Sequence, residues 1–323
     1  MNDTTWPPPQ VVRIPLTVRF RRVTQRTAVL VRGPAGWGEF SPFPGYPPQT
    51  TRWWWACAQE AAHHGWPAPR RARIPVNTTV PAVDAQTAHD MVLRSGCATA
   101  KIKVAEPGQR LADDQARVEA VRDALGPHGH IRIDANGAWD VDEAIAALRL
   151  LDRAAQGLQY AEQPCETLEE MARLRQKVDV RLAVDESIRT AADPLRVAGL
   201  AAADIIVVKV QPLGGVRRAL QVVEAAGLPA VVSSAVETSV GLAAGAALAA
   251  ALPDLPYACG LGTAPLLAGD VVTDPLTPSD GHIDVRPVVV DPVLLQRWAA
   301  PDPKAQMDRY RAAAVAATQE KVV

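Results

Sequence analysis

Eight short runs of mostly β-branched and apolar residues recur along this chain at a nearly constant interval. Their first residues lie between 23 and 32 positions apart, and the sequence between them has helical periodicity. Strands that alternate with helices in this way predict repeated βα units and a parallel sheet. The eight predicted strands are residues 74–80, 99–104, 131–136, 158–163, 182–186, 205–210, 230–235 and 257–262.

The predicted helices between these runs carry their own start signals. Asp140 stands three residues before Glu143, and Thr167 stands three residues before Glu170, which is the spacing of a capping box. Eight βα units over roughly 210 residues fit a (β/α)₈ barrel better than an open doubly wound sheet. The sequence therefore predicts an α/β fold built on a modified TIM (β/α)₈-type barrel.

The first 72 residues break this rhythm and predict an α+β capping domain at the N-terminus. We expect the barrel domain to cover residues 73–284 and a C-terminal tail, residues 285–323, to return to the cap. The predicted elements of the cap are strands at residues 11–20, 26–31 and 37–40 and a helix at residues 49–64.

Composition narrows the class of partner. The chain has 34 Lys+Arg against 35 Asp+Glu, a formal net charge of −1, so no overall field would hold nucleic acid or an anionic membrane. With 48% hydrophobic and 21% charged residues, it has the composition of an ordinary globular protein. We therefore expect a small-molecule ligand. The sequence leaves the oligomeric state undetermined, and a monomer is compatible with it.

Three features favour the cytoplasm. The four cysteines are far apart and form no C-x-x-C pair, so neither a disulfide framework nor a zinc knuckle is predicted. The first residues lack the basic then apolar order of a signal peptide. The most apolar tract, residues 240–252, is shorter than the about 20 residues that span a bilayer.

Acidic residues end three neighbouring predicted strands, at Asp134, Glu162 and Asp185. Active sites of such barrels lie at the C-terminal ends of the strands, so these carboxylates should meet at one mouth. Three anions in a partly dehydrated pocket repel one another unless protons or a cation intervene. Three hard oxygen ligands without His or Cys favour Mg²⁺, with Mn²⁺ as a substitute. The alternative is three separately solvated strand ends.

Lysines end two further predicted strands. Lys101 and Lys103 are two residues apart, so strand alternation puts them on one face, and Lys209 comes from beyond the acids. A second ammonium group and a cation nearby should lower a lysine's pKa, so that the lysine acts as a general base near neutral pH. This order suits removal of a proton next to a carboxylate, because Mg²⁺ and Lys209 would stabilise the enediolate.

Five motifs at these strand ends resemble the enolase superfamily, and within it the muconate-lactonising subgroup. A Lys or His base with Mg²⁺ on the ene-diolate is the established pattern of that superfamily. The short cap and residues 36–42, 233–238 and 260–263 are similar to the o-succinylbenzoate synthases of actinobacterial type. The five motifs are Lys101-Ile-Lys103, Asp134-Ala-Asn136, Glu162-Gln-Pro164, Asp185-Glu-Ser187 and Lys209-Val-Gln-Pro-Leu-Gly-Gly215.

The resemblance implies an enolase-like fold and a hydro-lyase activity. The reaction would be the dehydration, by syn elimination, of 2-succinyl-6-hydroxy-2,4-cyclohexadiene-1-carboxylate to o-succinylbenzoate in menaquinone (vitamin K2) biosynthesis. Carried over by position, the resemblance implies that Asp134, Glu162 and Asp185 bind Mg²⁺. It also implies that Lys103 removes the α-proton and that Lys209 stabilises the enediolate.

Further contacts with the substrate are expected around these groups. Lys101 would tune Lys103, and the cap loops at residues 20–22 and 41–46 would close the mouth. Tight barrel packing explains the presence of Gly260 and Gly262 in the last predicted strand as well as a substrate contact does. The predicted substrate-binding residues are Lys101, Arg132, Asn136, Ser233, Ser234, Gly260 and Gly262.

Two kinds of rival function remain open. The pair Lys103 and Lys209 could racemise an N-succinylamino acid or epimerise a dipeptide, and a muconate cycloisomerase is a weaker third reading. Dipeptide epimerases usually carry an acidic D-x-D-type pattern at the eighth strand, where this chain has Cys259-Gly-Leu-Gly262. The other rival is a barrel that merely binds metal or small acids, against which the two cationic strand ends argue.

Overall fold

Two sheets and a set of surrounding helices organise the computed structural model, which describes residues 6–20, 23–190 and 195–319. The strands are β1 (Gln10–Phe20), β2 (Val23–Gly33), β3 (Gly36–Phe40), β4 (Arg73–Val80), β5 (Thr99–Lys103), β6 (His130–Asp134), β7 (Leu158–Glu162), β8 (Leu182–Val184), β9 (Ile205–Lys209), β10 (Ala230–Ser233), β11 (Cys259–Gly262) and β12 (His282–Asp284). The α-helices are α1 (Pro48–Gln59), α2 (Ala85–Ser95), α3 (Leu111–Leu125), α4 (Val141–Ala155), α5 (Leu168–Arg175), α6 (Glu186–Thr190), α7 (Leu195–Gly199), α8 (Val210–Leu213), α9 (Val216–Ala226), α10 (Ser239–Ala251), α11 (Pro292–Arg297) and α12 (Lys304–Gln319). A π-helix (Glu60–His64) continues α1, and a 3₁₀ helix (Ala264–Leu266) follows β11.

The larger sheet closes into the predicted barrel. Strands β4 to β11 are parallel neighbours in chain order, and β11 pairs back onto β4, so eight strands form a complete ring. Strand β12 adds to β4 in the antiparallel direction. Each of the eight predicted runs overlaps one strand of this ring. The predicted fold class, a (β/α)₈-type barrel with an α+β cap, is therefore confirmed.

The helices around the ring begin where their sequence signals indicate. The Asp140 carboxylate accepts hydrogen bonds from the backbone N–H groups of Asp142 and Glu143, and the Glu143 side chain accepts one from the Asp140 N–H. Thr167 begins α5 in the same way. Both predicted capping boxes are confirmed, and the buried faces behind them pack against the barrel strands.

Helix α10 is apolar on all sides and almost entirely buried. None of the described helices is long and apolar enough to cross a membrane.

The cap consists of the antiparallel sheet β1–β2–β3 and helix α1. Residues after the barrel contact this sheet, because the Arg13 N–H donates to Trp298 O and the Ala300 N–H donates to Val11 O. The ring of Tyr310 in α12 packs edge-on against Phe40 of β3. The domain limits themselves, at residues 72 and 284, stay a prediction.

Candidate active site

The three predicted metal ligands lie side by side at the C-terminal end of the barrel. Asp134 and Glu162 are the last residues of β6 and β7 and pair in register, and Asp185 follows β8 directly. All three are buried, with at most 1% of their surface exposed. Strand pairing therefore brings together carboxylates that are far apart in the sequence.

Two ammonium groups from β5 contact these carboxylates. Lys101 Nζ lies 3.0 Å from each carboxylate oxygen of Glu162 and 3.5 Å from Asp134 Oδ2. Lys103 Nζ donates to Asp134 Oδ2 and, at 3.0 Å, to Asn136 Oδ1. Both lysines are buried and lie on the same face of their strand.

Lys209 reaches the carboxylates from the other side of the barrel. It ends β9, which is separated from β5 by four steps around the eight-stranded ring, and its Nζ donates to Asp185 Oδ2. The Asn136 amide extends the contacts of the site by donating from Nδ2 to Glu186 Oε1 at 2.9 Å. Amines thus approach the carboxylates from two opposite strands, and the catalytic roles of these lysines stay predictions.

The charges of the site shift one another's pKa values. Burial, and next the repulsion of Asp134, raise the pKa of Glu162 to about 7 against the attraction of Lys101. Burial alone would lower the pKa of Lys101, but the attraction of Glu162 and Asp134 outweighs it and holds that pKa above its ordinary value. The sequence predicts a lowered lysine pKa in this cluster, and at Lys101 the direction is the opposite because the carboxylates contact it directly.

The chemistry of the donor set fits a hard divalent cation. Asp134, Glu162 and Asp185 supply only carboxylate oxygens, which Mg²⁺ prefers. The pKa of Glu162 is raised first by burial and next by the repulsion of Asp134, and a bound cation would offset both. Within the described ranges, no three His, Cys, Asp or Glu side chains have the arrangement of a metal site. The carboxylates are paired with ammonium groups instead.

A cavity of about 830 Å³ opens over this cluster. All three lysines line it from the barrel, and Phe20, Phe43 and Tyr46 line it from the cap. This volume suits a small-molecule ligand. An adjoining cavity of about 340 Å³ has Arg94 as the one charged side chain among its described lining residues, so we place the chemistry in the larger cavity.

Several predicted substrate contacts line the larger cavity, namely Asn136, Ser233, Ser234 and Gly260, together with Lys101. The Ser234 hydroxyl donates to Gly260 O at 3.0 Å, and this hydrogen bond connects the residue after β10 to β11. Contact of these residues with a substrate stays a prediction.

Arg132 and Gly262 do not line this cavity. The Arg132 guanidinium is fully buried and donates to Asn77 Oδ1 at 3.2 Å and to Ala258 O at 2.7 Å. Arg132 shares the face of Asp134, as the alternation of β6 predicts, but it lies two residues deeper in the barrel. A Cβ atom on Gly262 would lie 2.6 Å from Asn77 O, so close packing accounts for this glycine. Burial and close packing explain these two residues, and their contact with a substrate stays an untested prediction.

Gln163 is a residue of the site that sequence reasoning missed. Its side-chain oxygen accepts from the Asp185 N–H at 3.0 Å, and its amide nitrogen donates to Ser187 Oγ at 2.7 Å and to Cys165 O at 2.9 Å. The side chain is fully buried, and its hydrogen bonds hold the turn that carries Asp185. Its position directly after Glu162 in the Glu162-Gln-Pro164 motif was the available signal.

Both cap loops expected at the mouth have residues at the cavity. Residues 41–46 contribute Phe43, Pro44 and Tyr46 to its lining, and the centroid of the Phe20 ring lies 5.1 Å from Lys103 Nζ. Arg21 and Arg22 lie outside the described residues.

Comparison with known protein families covers both parts of the chain. Residues 11–62 match the family described as "Enolase N-terminal domain-like", and residues 84–288 match "Enolase C-terminal domain-like". The muconate lactonizing enzyme of Pseudomonas fluorescens, solved with muconolactone, has a similar structure with a TM-score of 0.79. The similarity covers 90% of this chain and 98% of that one, and at 22% identity it shows a shared fold.

Closer relatives narrow the family. The curated o-succinylbenzoate synthase of Thermobifida fusca (strain YX) is 60% identical over 303 residues, which cover 94% of this chain and 95% of the relative. The chain belongs to the o-succinylbenzoate synthase family. A second curated o-succinylbenzoate synthase, from Mycolicibacterium smegmatis (strain ATCC 700084 / mc(2)155), is 51% identical over 297 residues, covering 92% of this chain and 91% of the relative. Membership of the o-succinylbenzoate synthase family confirms the predicted resemblance and the prediction that the chain is an enzyme.

Proposed function

We propose that this chain catalyses the Mg²⁺-dependent dehydration of 2-succinyl-6-hydroxy-2,4-cyclohexadiene-1-carboxylate to o-succinylbenzoate. The step belongs to menaquinone biosynthesis and would take place in the cytoplasm. The observation that carries the proposal is the set of buried carboxylates contacted by lysines from two opposite strands under an 830 Å³ cavity. The 60% identity with the Thermobifida fusca relative supports the choice of reaction.

Lys103 is the proposed base. Its Nζ lines the cavity and is held by Asp134 and Asn136, so its position at the substrate is defined before the substrate binds. In its neutral form it takes the α-proton of the substrate. It then gives this proton to the hydroxyl group that leaves the same face of the ring, and the electrons of the broken C–H bond complete the aromatic ring.

Lys209, together with an ion that the carboxylates would hold, stabilises the negative charge that develops during this step. Lys209 lies across the barrel from Lys103, so its ammonium group faces the opposite side of a ligand placed between them and stabilises the developing oxyanion. Asp134, Glu162 and Asp185 would hold Mg²⁺. When bound, the ion supplies positive charge next to the substrate carboxylate.

The first test of this function is an assay with the cyclohexadiene substrate and Mg²⁺. We expect the ultraviolet absorbance of an aromatic product to appear with the unmodified protein. Lys103→Ala should lower kcat by about 10²–10⁴-fold, the usual contribution of a general base. Lys177→Ala is the matched control, because Lys177 is an exposed lysine after α5, and its kcat should be unchanged.

The isomerase alternative uses the same two lysines. Their placement on opposite sides of the cavity would also allow one to remove a proton and the other to return it, as in racemisation of an N-succinylamino acid or epimerisation of a dipeptide. No aromatic product, together with rapid loss of optical rotation from an N-succinylamino acid, would overturn the dehydratase proposal.

A different measurement distinguishes the proposed enzyme from a barrel that only binds metal or small acids. In heavy water a working site exchanges or turns over the α-proton, whereas a simple binder does neither. Lys103→Ala should abolish this exchange.

A further inference from the structure

Two separate segments form the apolar wall of the active-site cavity, which we define as Phe43, Pro44, Tyr46 and Val236. The first three belong to the cap loop after β3, and Val236 belongs to the loop between β10 and α10. The two segments come from different domains of the predicted division, so nothing in the local chain holds them together. Their relative position depends on contacts across the interface between cap and barrel.

Val236 has an unusual backbone conformation. Its φ angle is 59°, in the left-handed region that a β-branched side chain rarely adopts. The side chain is nevertheless buried, packed in a cluster that includes Ile14 of β1 and Val240 of α10. A conformation of this kind persists only where the surrounding structure holds it.

Arg26 of β2 contacts both segments of the apolar wall. Its Nε donates to Val236 O at 3.1 Å, and a terminal nitrogen donates to Ser41 O at 2.5 Å. The guanidinium carbon lies 4.1 Å from the centroid of the Phe43 ring. Arg26 is 5% exposed and is absent from the described lining of the active-site cavity, so it acts on that cavity only through these neighbours.

A second hydrogen bond holds the turn at Val236. The Glu237 carboxylate accepts from the Ala235 N–H at 2.7 Å, which closes the loop around Val236. Glu237 and Glu39 are both buried and both attract the charge of Arg26. These acids make the burial of the guanidinium tolerable, since an isolated buried charge would be costly.

We propose that Arg26 is a positioning residue that fixes the strained turn at Val236 and the ring of Phe43 as one wall of the active site. It thereby controls how tightly the apolar part of the substrate is bound, while the proton transfer at Lys103 is left to other residues. The proposal rests on the proposed function, because the wall belongs to the same cavity. A planar guanidinium is suited to the task, since it donates in two directions and stacks on a ring at once.

A double-mutant cycle tests this coupling. Arg26→Met keeps the apolar stem and removes the donors, and it should raise KM by about tenfold, the effect of losing one charge-assisted hydrogen bond, with a much smaller change in kcat. In a Val236→Gly background the same change should raise KM by less than about threefold, because glycine adopts a positive φ without strain. An equal tenfold effect in both backgrounds, or no effect of Arg26→Met on KM, would overturn the proposal.

Arg32→Met is the matched control for the cycle. Arg32 lies on the same strand, and its guanidinium stacks on Trp6 and Trp37 instead of on the apolar wall. Arg32→Met should leave KM unchanged relative to its own background, whether that background is the unmodified protein or Val236→Gly. If Arg26→Met does not fold, Arg26→Lys replaces it. A lysine can donate to only one of the two carbonyl oxygens well, so KM should again rise, and an unchanged KM would overturn the proposal.

Amide hydrogen exchange gives a readout that does not depend on activity. In Arg26→Met, exchange in residues 234–238 and 41–46 should become faster while β7 stays protected, and Arg32→Met should leave both loops unchanged. If the unmodified protein forms no aromatic product and the two loops respond as expected, the proposed function fails and the positioning role stands. If the protein is active and neither KM nor exchange changes in Arg26→Met, the positioning role fails and the function stands.

Discussion

Carboxylates and amines are paired at the barrel mouth with almost no exposure to solvent. Each of Asp134, Glu162 and Asp185 has a lysine Nζ as a direct partner. Burial of a charge is costly unless it is paired, so removal of one partner should disturb the group that is left behind. The cluster therefore behaves as a unit, and single substitutions within it are expected to affect ligand binding strongly.

The assignment of Asp185 as a metal ligand leads to a prediction at this scale. Asp185→Asn keeps the shape of the side chain and removes its negative charge, so Mg²⁺ affinity measured by calorimetric titration should fall by at least about tenfold, the loss that even outer partners of metal ligands cause. Asp302→Asn is the control, because Asp302 is an exposed acid paired with Arg13, and it should leave the affinity unchanged. An unchanged affinity in Asp185→Asn would remove Asp185 from the ligand set.

At the scale of elements, an acidic residue of the cap domain contacts the N-terminus of a barrel helix. Glu60, the first residue of the π-helix, accepts from the backbone N–H groups of Val216 at 2.6 Å and Arg217 at 3.3 Å, at the start of α9. Gly215 makes this approach possible, since its φ is 123° and a Cβ atom there would lie 2.0 Å from Glu60 Oε2. A negative charge at a helix N-terminus is stabilising, so the contact helps to hold the cap on the barrel.

This contact predicts a measurable loss of stability. Glu60→Gln removes the charge from the N-terminus of α9 and should lower the free energy of unfolding by about 1 kcal/mol. Urea denaturation measures the change. Glu119→Gln, on the exposed face of α3, is the matched control and should change stability by less than about 0.5 kcal/mol. Equal losses in the two variants would contradict a specific role for Glu60.

At the scale of the whole molecule, the interface between cap and barrel contains a buried acid with a shifted pKa. Glu39 of β3 accepts from Ser41 Oγ at 2.6 Å, from Thr238 Oγ1 at 2.5 Å and from the Gly241 N–H at 3.1 Å. Burial, and next the repulsion of Glu237, raise the pKa of Glu39 to about 7, although the hydroxyl groups of Ser41 and Thr238 and the charge of Arg26 act in the opposite direction. The folded protein therefore binds a proton here more tightly than the unfolded chain does.

The raised pKa of Glu39 predicts a pH dependence of stability. Between the ordinary glutamate pKa and about 7, the folded state holds more protons, so the free energy of unfolding should fall as the pH rises through this window. Each pKa unit corresponds to about 1.4 kcal/mol, and the difference in stability between the unmodified protein and Glu39→Gln should change by about 1–3 kcal/mol from pH 5 to pH 8. Denaturant titrations at several pH values measure it. Parallel pH curves for the two proteins would refute the prediction, and Glu119→Gln provides the curve for an exposed acid.

Local patterns predicted much of the fold and of the site. The run at residues 205–210 matches β9 closely, and the capping boxes at Asp140 and Thr167 begin their helices as expected. Such features depend on residues that are neighbours in the chain, so one sequence is enough to find them. Arg132 shows the limit, because alternation predicts its face but not its partners Asn77 and Ala258, which are distant in the chain.

The sequence by itself determined the ring of eight strands and the order in which acids and lysines surround its mouth, since spacing and alternation along a strand are local properties. The tertiary structure alone decided the rest. It enclosed the Arg132 guanidinium in the barrel by bringing Asn77 and Ala258 to it from distant parts of the chain. It also joined Glu60 to α9 and Arg26 to Val236, across 156 and 210 positions of the chain. Contacts over such distances form only when the cap packs on the barrel, and no local pattern encodes them.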